Sequence, residues 1–356
     1  MQSEPKQVPD TTTKAKTGRK KPSLLAITVI LGTIGLVTQL LWVNWPKSRT
    51  EPEPLSTNIQ DVIDRLPGTA DALIYAGVKD IRESKFWNEV IPDSVKAANW
   101  LQFDTTLTRI SRQTGFIPSR DIDTLLVEFQ QRNARKQDFL GIVWGNFPEG
   151  LDIDALEHQA VQTISVEGRR LAALREDLWI CRPSGRMALI GSSADIIGRY
   201  LAPHSSFLER DTTTTALLEK TAHKSHFWFT LSSPYWTIGA LQSLTSANKD
   251  LQTLGNINRI RHLTLSLKLD ENVEGTSEWI YENRRSAYFA STFLWSAIKL
   301  SSTPGTRTPQ ETKDLLNSIH VMQNLESVIV TADIPAELFR KTLPAASTKP
   351  EENPPE

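Results

Sequence analysis

Residues 24–43 read LLAITVILGTIGLVTQLLWV, twenty positions with no charge and one amide, Gln39. At about 1.5 Å of rise per residue, such a run spans about 30 Å as a helix, the thickness of a bilayer's hydrocarbon core. No other stretch of the chain is like it. It predicts a single-pass membrane protein with almost all of its mass on one side. A cleaved secretory signal would have an apolar region of about 7–15 residues and small residues at its cleavage site. Here the run is longer and ends in Leu40-Leu41-Trp42-Val43-Asn44-Trp45, with no A-x-A pattern, so an uncleaved anchor is expected.

Charge sets the orientation. Lys14, Lys16, Arg19, Lys20 and Lys21 precede the apolar run, and basic residues stay on the cytoplasmic side. Lys47 and Arg49 follow it, soon joined by Glu51 and Glu53. The N-terminus is therefore expected in the cytoplasm and the C-terminal part in the periplasm of a bacterial envelope. Trp42 and Trp45 stand at the exit end, where indole rings favour the headgroup layer. Residues 1–49 carry eight Lys/Arg against two Asp/Glu, while the chain as a whole is at −1. The outer part is thus acidic, which argues against a nucleic-acid surface. Within the run, Thr28, Gly32 and Gly35 bring small residues toward one helix face, which suits close helix approach and a homodimer.

Cys181 is the only cysteine, so no intramolecular disulfide can form and an apolar core must hold the outer part. Leu178-Trp179-Ile180-Cys181 has the pattern of a strand, and a thiol there is expected to be packed, not reactive.

The pattern of elements divides the chain as follows. Residues 1–22 are a disordered basic tail, 23–45 the anchor and 46–60 a proline-containing stalk. Residues 61–202 form a first α+β repeat, 203–222 a connector, 223–344 a second repeat and 345–356 a disordered tail. In the first repeat, strands are expected near 72–78, 123–129, 139–145, 169–175, 177–182 and 186–190. Helices are expected at 80–92, at 95–115 with Gly115 as C-cap, at 152–164, and from Ser193 to Leu201. In the second, strands are expected at 227–231, 261–269, 275–281 and 327–332, with helices at 234–247, 284–301, 310–321 and 335–342. Arg261–Leu269 alternates strictly and is the clearest strand of the chain. Both halves read as strand, helix, strand, strand, helix, strand and a final helix. The fold class expected is therefore α+β: a single N-terminal transmembrane helix followed by two ferredoxin-like (split β-α-β) repeats with antiparallel sheets. The sheets would carry helices on one face, or merge into one shared sheet.

Several stretches carry a resemblance. Leu66-Pro67-Gly68-Thr69-Ala70-Asp71-Ala72-Leu73-Ile74-Tyr75-Ala76 is followed by Ile81-Arg82-Glu83-Ser84-Lys85-Phe86-Trp87. Then come Thr114-Gly115-Phe116-Ile117-Pro118-Ser119-Arg120-Asp121-Ile122-Asp123 and Gly145-Asn146-Phe147. With these the chain resembles a group of membrane-anchored or exported bacterial proteins whose outer part is a duplicated split β-α-β unit. The resemblance implies that fold and no activity.

Candidate chemistry is sparse. His223 and His226 stand three apart with His204 and Asp211 upstream, but no third metal ligand has a clear spacing. Asp121 with Asp123 is a carboxylate cluster, as is Asp152 with Asp154, Glu157 and His158; such residues before a strand or at a helix start suit turns and caps. Gly191-Ser192-Ser193 lacks the elbow of a nucleophilic serine and suits an N-cap. Of eight tryptophans in the outer part, most lie in apolar strands or helix faces and are expected in the core. Residues 287–298 are apolar almost all round, so that helix should be buried on both sides, or else dock on the other half, a partner or the membrane. The sequence therefore assigns no catalytic, cofactor-binding or metal-ligating residue and no cofactor. It points to a membrane-anchored periplasmic binding or scaffold protein with the bilayer and an envelope protein as partners. The alternative is an envelope hydrolase with the acidic group at 152–158 in the cleft between the repeats.

Overall fold

The structure is a computed structural model. It describes residue 35 and residues 38–39, 42–47, 55–96, 104–133, 136–221, 224–239 and 259–342. Twelve strands form one antiparallel sheet: β1 (Ala72–Ala76), β2 (Ile122–Asn133), β3 (Lys136–Gly145), β4 (Gln162–Val166), β5 (Arg169–Arg175), β6 (Leu178–Ser184), β7 (Met187–Gly191), β8 (Phe227–Leu231), β9 (Ile260–Leu269), β10 (Asn272–Tyr281), β11 (Ile319–Asn324) and β12 (Ser327–Pro335). Their order is β11-β12-β10-β9-β8-β1-β2-β3-β7-β6-β5-β4.

This corrects the expected fold class on two counts. A split β-α-β unit sets a third strand between the two that its helix joins. Here β1 and β2, joined through residues 77–121, are direct antiparallel neighbours, with Leu73 opposite Glu128. Of the two packings expected, the shared sheet is the one formed: β1 pairs with β8 across the seam, Leu73 facing Thr230 and Tyr75 facing Trp228. Outward from that seam the order is β1-β2-β3-β7-β6 on one side and β8-β9-β10-β12-β11 on the other, with β5 and β4 extending the first side. The anchor is the second count. No helix among the described residues is long and apolar enough to cross a membrane. Most of the 24–43 run lies outside the described residues, as do the expected disordered tails.

Both faces of the sheet are covered. On one face Leu73, Leu126, Leu140, Ile142, Leu171, Cys181 and Leu189 meet three helices: α1 (Thr57–Asp64), α3 (Ala194–Leu201) and α4 (Thr212–Leu218). Trp228 is buried there and stacks on Tyr75 at 5.2 Å. On the other face Ala172, Leu174, Leu178 and Ile180 pack against Ile110 of α2 (Thr105–Thr114) and against Leu151, Ile153 and Leu156. On the β10–β12 side of that face, α5 (Arg284–Ser302) buries Ala287 and Ala290 against Tyr281 and Val328. α6 (Gln310–Asn317) packs beside α5.

Local chemistry sets the helix ends. Asp104 accepts the Thr106 and Leu107 amides at 2.8 and 3.0 Å and starts α2. Gly115 ends it at φ 71°, a conformation that glycine adopts without steric cost. Ser193 caps α3 and Asn283 caps α5, each through a side-chain oxygen accepting the third amide onward. At Gly145 a Cβ would lie 1.9 Å from the Asp121 carbonyl oxygen, so the β2–β3 ladder closes only with glycine there.

Because the seam is a continuous ladder, we expect one cooperative urea transition, followed alike by circular dichroism and tryptophan emission. Trp228→Ala should cost about 3–5 kcal/mol and shift that single transition. Two separate transitions would show that the halves are independent.

Candidate functional site

The residues that sequence reasoning singled out are placed apart from one another. Asp152 pairs with Arg182, Asp154 with Arg170, and Glu157 with Arg170 at 3.1 Å; His158 is exposed. These residues precede β4 and pack over β5 and β6, five and four strands from β1, not at the seam. No helix runs over 152–164: one turn at Ile153–Leu156 and a 3-10 turn lead directly into β4. Asp121 is buried and accepts the Ile117 amide at 2.8 Å, while Asp123 pairs with Arg186 at 3.1 Å. Asp211 is buried as a cap, accepting the amides of Ala70 and Thr214 at 2.9 Å each. His226 accepts the Leu269 amide at 3.3 Å, and no group of three or more His, Cys, Asp or Glu fit for a metal occurs among the described residues. His223 and Trp100 lie outside those residues. Ser192 donates to Asp138 at 3.0 Å and Ser193 caps α3, as their position suggested. Cys181 is buried, and desolvation pushes its thiol up to about 11.

Two buried carboxyls were not singled out from the sequence. Glu128, Leu73, Thr230, Thr264 and Glu278 form one lateral row across the seam. Glu278 accepts from Ser327 at 2.7 Å and pairs with Lys220 at 3.1 Å. Glu128 is fully buried, takes one hydrogen bond from Gln130 at 2.6 Å, and leaves Oε2 without a partner. Burial raises its pKa to about 7 against the pull of Gln130 and, more remotely, of Arg199 and Arg210. Four strand spacings separate the two carboxyls by about 19 Å, too far to act as a pair. An apolar cavity of about 140 Å³ lies between α2 and the sheet, lined by Leu107, Ile110, Phe116, Val143 and Leu174, with Arg182 at its rim. That is well under the roughly 300–1,000 Å³ of a substrate pocket.

The surface with distinctive chemistry is α5 and the corner where it starts. Burial on both sides, expected for residues 287–298, is corrected. Ala287, Ala290 and Ser291 face the sheet, but Phe289, Phe293, Trp295 and Leu300 are 49, 48, 53 and 71 % exposed. At 100° per residue, Arg285, Phe289, Thr292, Ser296 and Lys299 fall on one outward stripe, flanked by Phe293 and Leu300 on one side and Trp295 on the other. The Arg285 guanidinium lies over the Phe289 ring at 5.7 Å. The helix carries Arg284, Arg285 and Lys299 and no acidic residue.

At its N-terminal end an open cleft of about 900 Å³ is lined by Arg259, Arg284, Arg285 and Phe289, with Glu282 and Glu326. Arg284 binds Glu326 at 2.8 Å and holds that carboxyl below its ordinary range; Arg261 binds Glu282 at 3.0 Å. Glu326 sits in the two-residue turn between β11 and β12, where Leu325 has φ 52°. That is a strained conformation for a leucine, in a turn that favours glycine. The residue next to this turn holds the start of the body: the Lys47 amide donates to Asn324 Oδ1 at 3.1 Å, and its ammonium donates to Gln323 Oε1 at 3.0 Å.

No family model matches the chain, and no curated protein does. Two solved structures of TP0453, crystal forms I and IV, are each 12% identical to it. They align over 79% of this chain and over 95% and 96% of their own, with TM-scores of 0.42 and 0.41.

Glu128 yields a prediction with a definite sign. Its folded pKa, about 7, lies above the ordinary 4.5. Protonation therefore favours the fold: that contribution is complete below 4.5 and is lost as pH rises through about 7. Glu128→Gln should flatten the stability profile between those values and stabilise the protein at pH 8 by about 1–3 kcal/mol, read from urea midpoints. An unchanged profile would show that Glu128 is ionised in the fold.

Proposed function

We propose that this chain is a membrane-tethered, extracytoplasmic binding or scaffold protein that works by contact and not by covalent chemistry. The observation that carries the reading is the outward face of α5, a row of exposed aromatic side chains interleaved with basic ones on a helix fixed to the sheet. Large exposed apolar groups gathered on one face are the mark of a contact surface, whereas scattered ones need no explanation. The acidic residues at 152–158 support it indirectly, since each carboxylate there is engaged by an arginine, Asp152 by Arg182 and Asp154 and Glu157 by Arg170.

In this reading the chain works at a bacterial inner membrane, with the basic flank at 14–21 toward the cytoplasm and the sheet in the periplasm. Two occupants fit a face of this kind: an envelope protein, or the bilayer itself. The reading predicts that a photo-crosslinking side chain at Phe293, in the full-length chain in native membranes, gives a discrete adduct. The same group at Val161, exposed on the far side of the sheet order, should give none. Asp154→Asn with Glu157→Gln should leave the adduct unchanged. No adduct from position 293, or its loss in the acidic variant, would sink the contact reading.

A further inference from the structure

We infer that the occupant of the α5 face is the headgroup layer of an anionic membrane, engaged by Arg259, Arg284 and Arg285 at the corner and by Phe289, Phe293 and Trp295 along the helix. The inference rests on the tethered-binding reading and names what the surface binds.

Chain length is the first argument. Lys47 is four residues beyond Val43, the last residue of the apolar run, so at most about 14 Å of extended chain separates them. Lys47 is fixed to Gln323 and Asn324, and two residues further on Glu326 lines the arginine cleft. The chain that follows the apolar run is thereby pinned, at Lys47, to the turn that borders the arginine cleft.

Charge is the second argument. The outer part of the chain is acidic, yet α5 carries three basic residues and no acidic one. At the corner Arg259, Arg261, Arg284, Arg285 and Lys47 stand against Glu282 and Glu326. Glu311 and Asp314 lie on α6, the neighbouring helix. The basic surplus is thus local, and Arg285 and Phe289 of the aromatic stripe line the same cleft as Arg259 and Arg284. Aromatic and basic residues mixed on one helix face suit the plane where apolar rings enter the acyl boundary and cations meet phosphates. The helix, about 28 Å long, would lie along the surface, not across the membrane.

The test uses the full-length chain reconstituted in vesicles. Thr292→Cys puts a thiol on the exposed stripe, and the fully buried Cys181 stays unlabelled. An environment-sensitive fluorophore at position 292 should shift to the blue and be quenched by spin-labelled lipid when phosphatidylglycerol is present. Both signals should be absent in pure phosphatidylcholine and fade at high salt. Arg259→Gln and Arg285→Gln should each lower the docked fraction relative to the undocked about fivefold. The salt series needs no substitution, so it stands even if those variants misfold. A label that stays in water with both lipids overturns the inference, as does equal quenching by both. A protein adduct from position 293 without lipid quenching overturns it in favour of an envelope protein. Protein that fails to float with the vesicles at all means that the tether reading has failed, which is a separate result.

Discussion

Five residue pairs between β1 and β8 carry the architecture. Both strands are short, and each is covered on its inner face by the same core, where Leu73 and Trp228 lie together. Their pairing turns two groups of strands into one ladder and leaves no exposed edge at the seam. It also places the polar row Glu128, Thr230, Thr264 and Glu278 in the middle of one sheet, where all four are enclosed. The two carboxyls are enclosed with unequal partners. Glu278 has Lys220 and Ser327 within reach, while Glu128 has only an amide and distant guanidinium groups. A buried carboxyl without a close cation is most stable in its neutral form.

The legible part of this fold was its middle. Arg261–Leu269 declares itself by strict alternation, and Leu178–Cys181 and Asp123–Phe129 by short apolar runs, as suits strands covered on both faces with neighbours on both sides. The two strands that escaped sequence reading, Gln162–Val166 and Ile319–Asn324, are the two outermost of the twelve. An edge strand has one neighbour and little burial; Gln162–Val166 has no buried residue, and in Ile319–Asn324 only Gln323 is buried. Both therefore lack the apolar alternation of the inner strands, and each was absorbed into a helix expected just before it. The strand order was illegible for another reason. A list of strand, helix, strand, strand, helix, strand does not say which strands pair, and it fits a split β-α-β unit as well as the order found here, where β1 pairs with β2 and β8, β3 with β7, and β10 with β12.

For the site, the helix was legible and its exposure was not. Residues 287–298 are apolar on every side, and the side that is buried is the one with the smallest residues. Ala287, Ala290 and Ser291 let α5 lie close on Tyr281 and Val328, which leaves the large rings of Phe289, Phe293 and Trp295 pointing away. A helix selected for burial alone would put its rings inward and its alanines outward, since burying a ring gains more than burying a methyl group.

That inversion links the site to the edge of the sheet. β11 is an edge strand, and open edges are sites of unwanted pairing unless something covers them. The turn that ends β11 is held by Lys47, so the segment leading out of the apolar run is fixed where the edge turns toward α5. Leu325 adopts a conformation that a leucine takes at some cost, and strain of that kind persists only where surrounding contacts over-determine it. Here those contacts are Lys47 on one side and the Arg284–Glu326 pair on the other. The turn therefore works as a clasp: Lys47 is held beside it, and its Glu326 binds Arg284 at the start of α5. A sheet twelve strands wide offers many surfaces for binding. This one is set apart by its corner, where Lys47 pins the turn that carries Glu326 and the guanidinium cluster lines an open cleft.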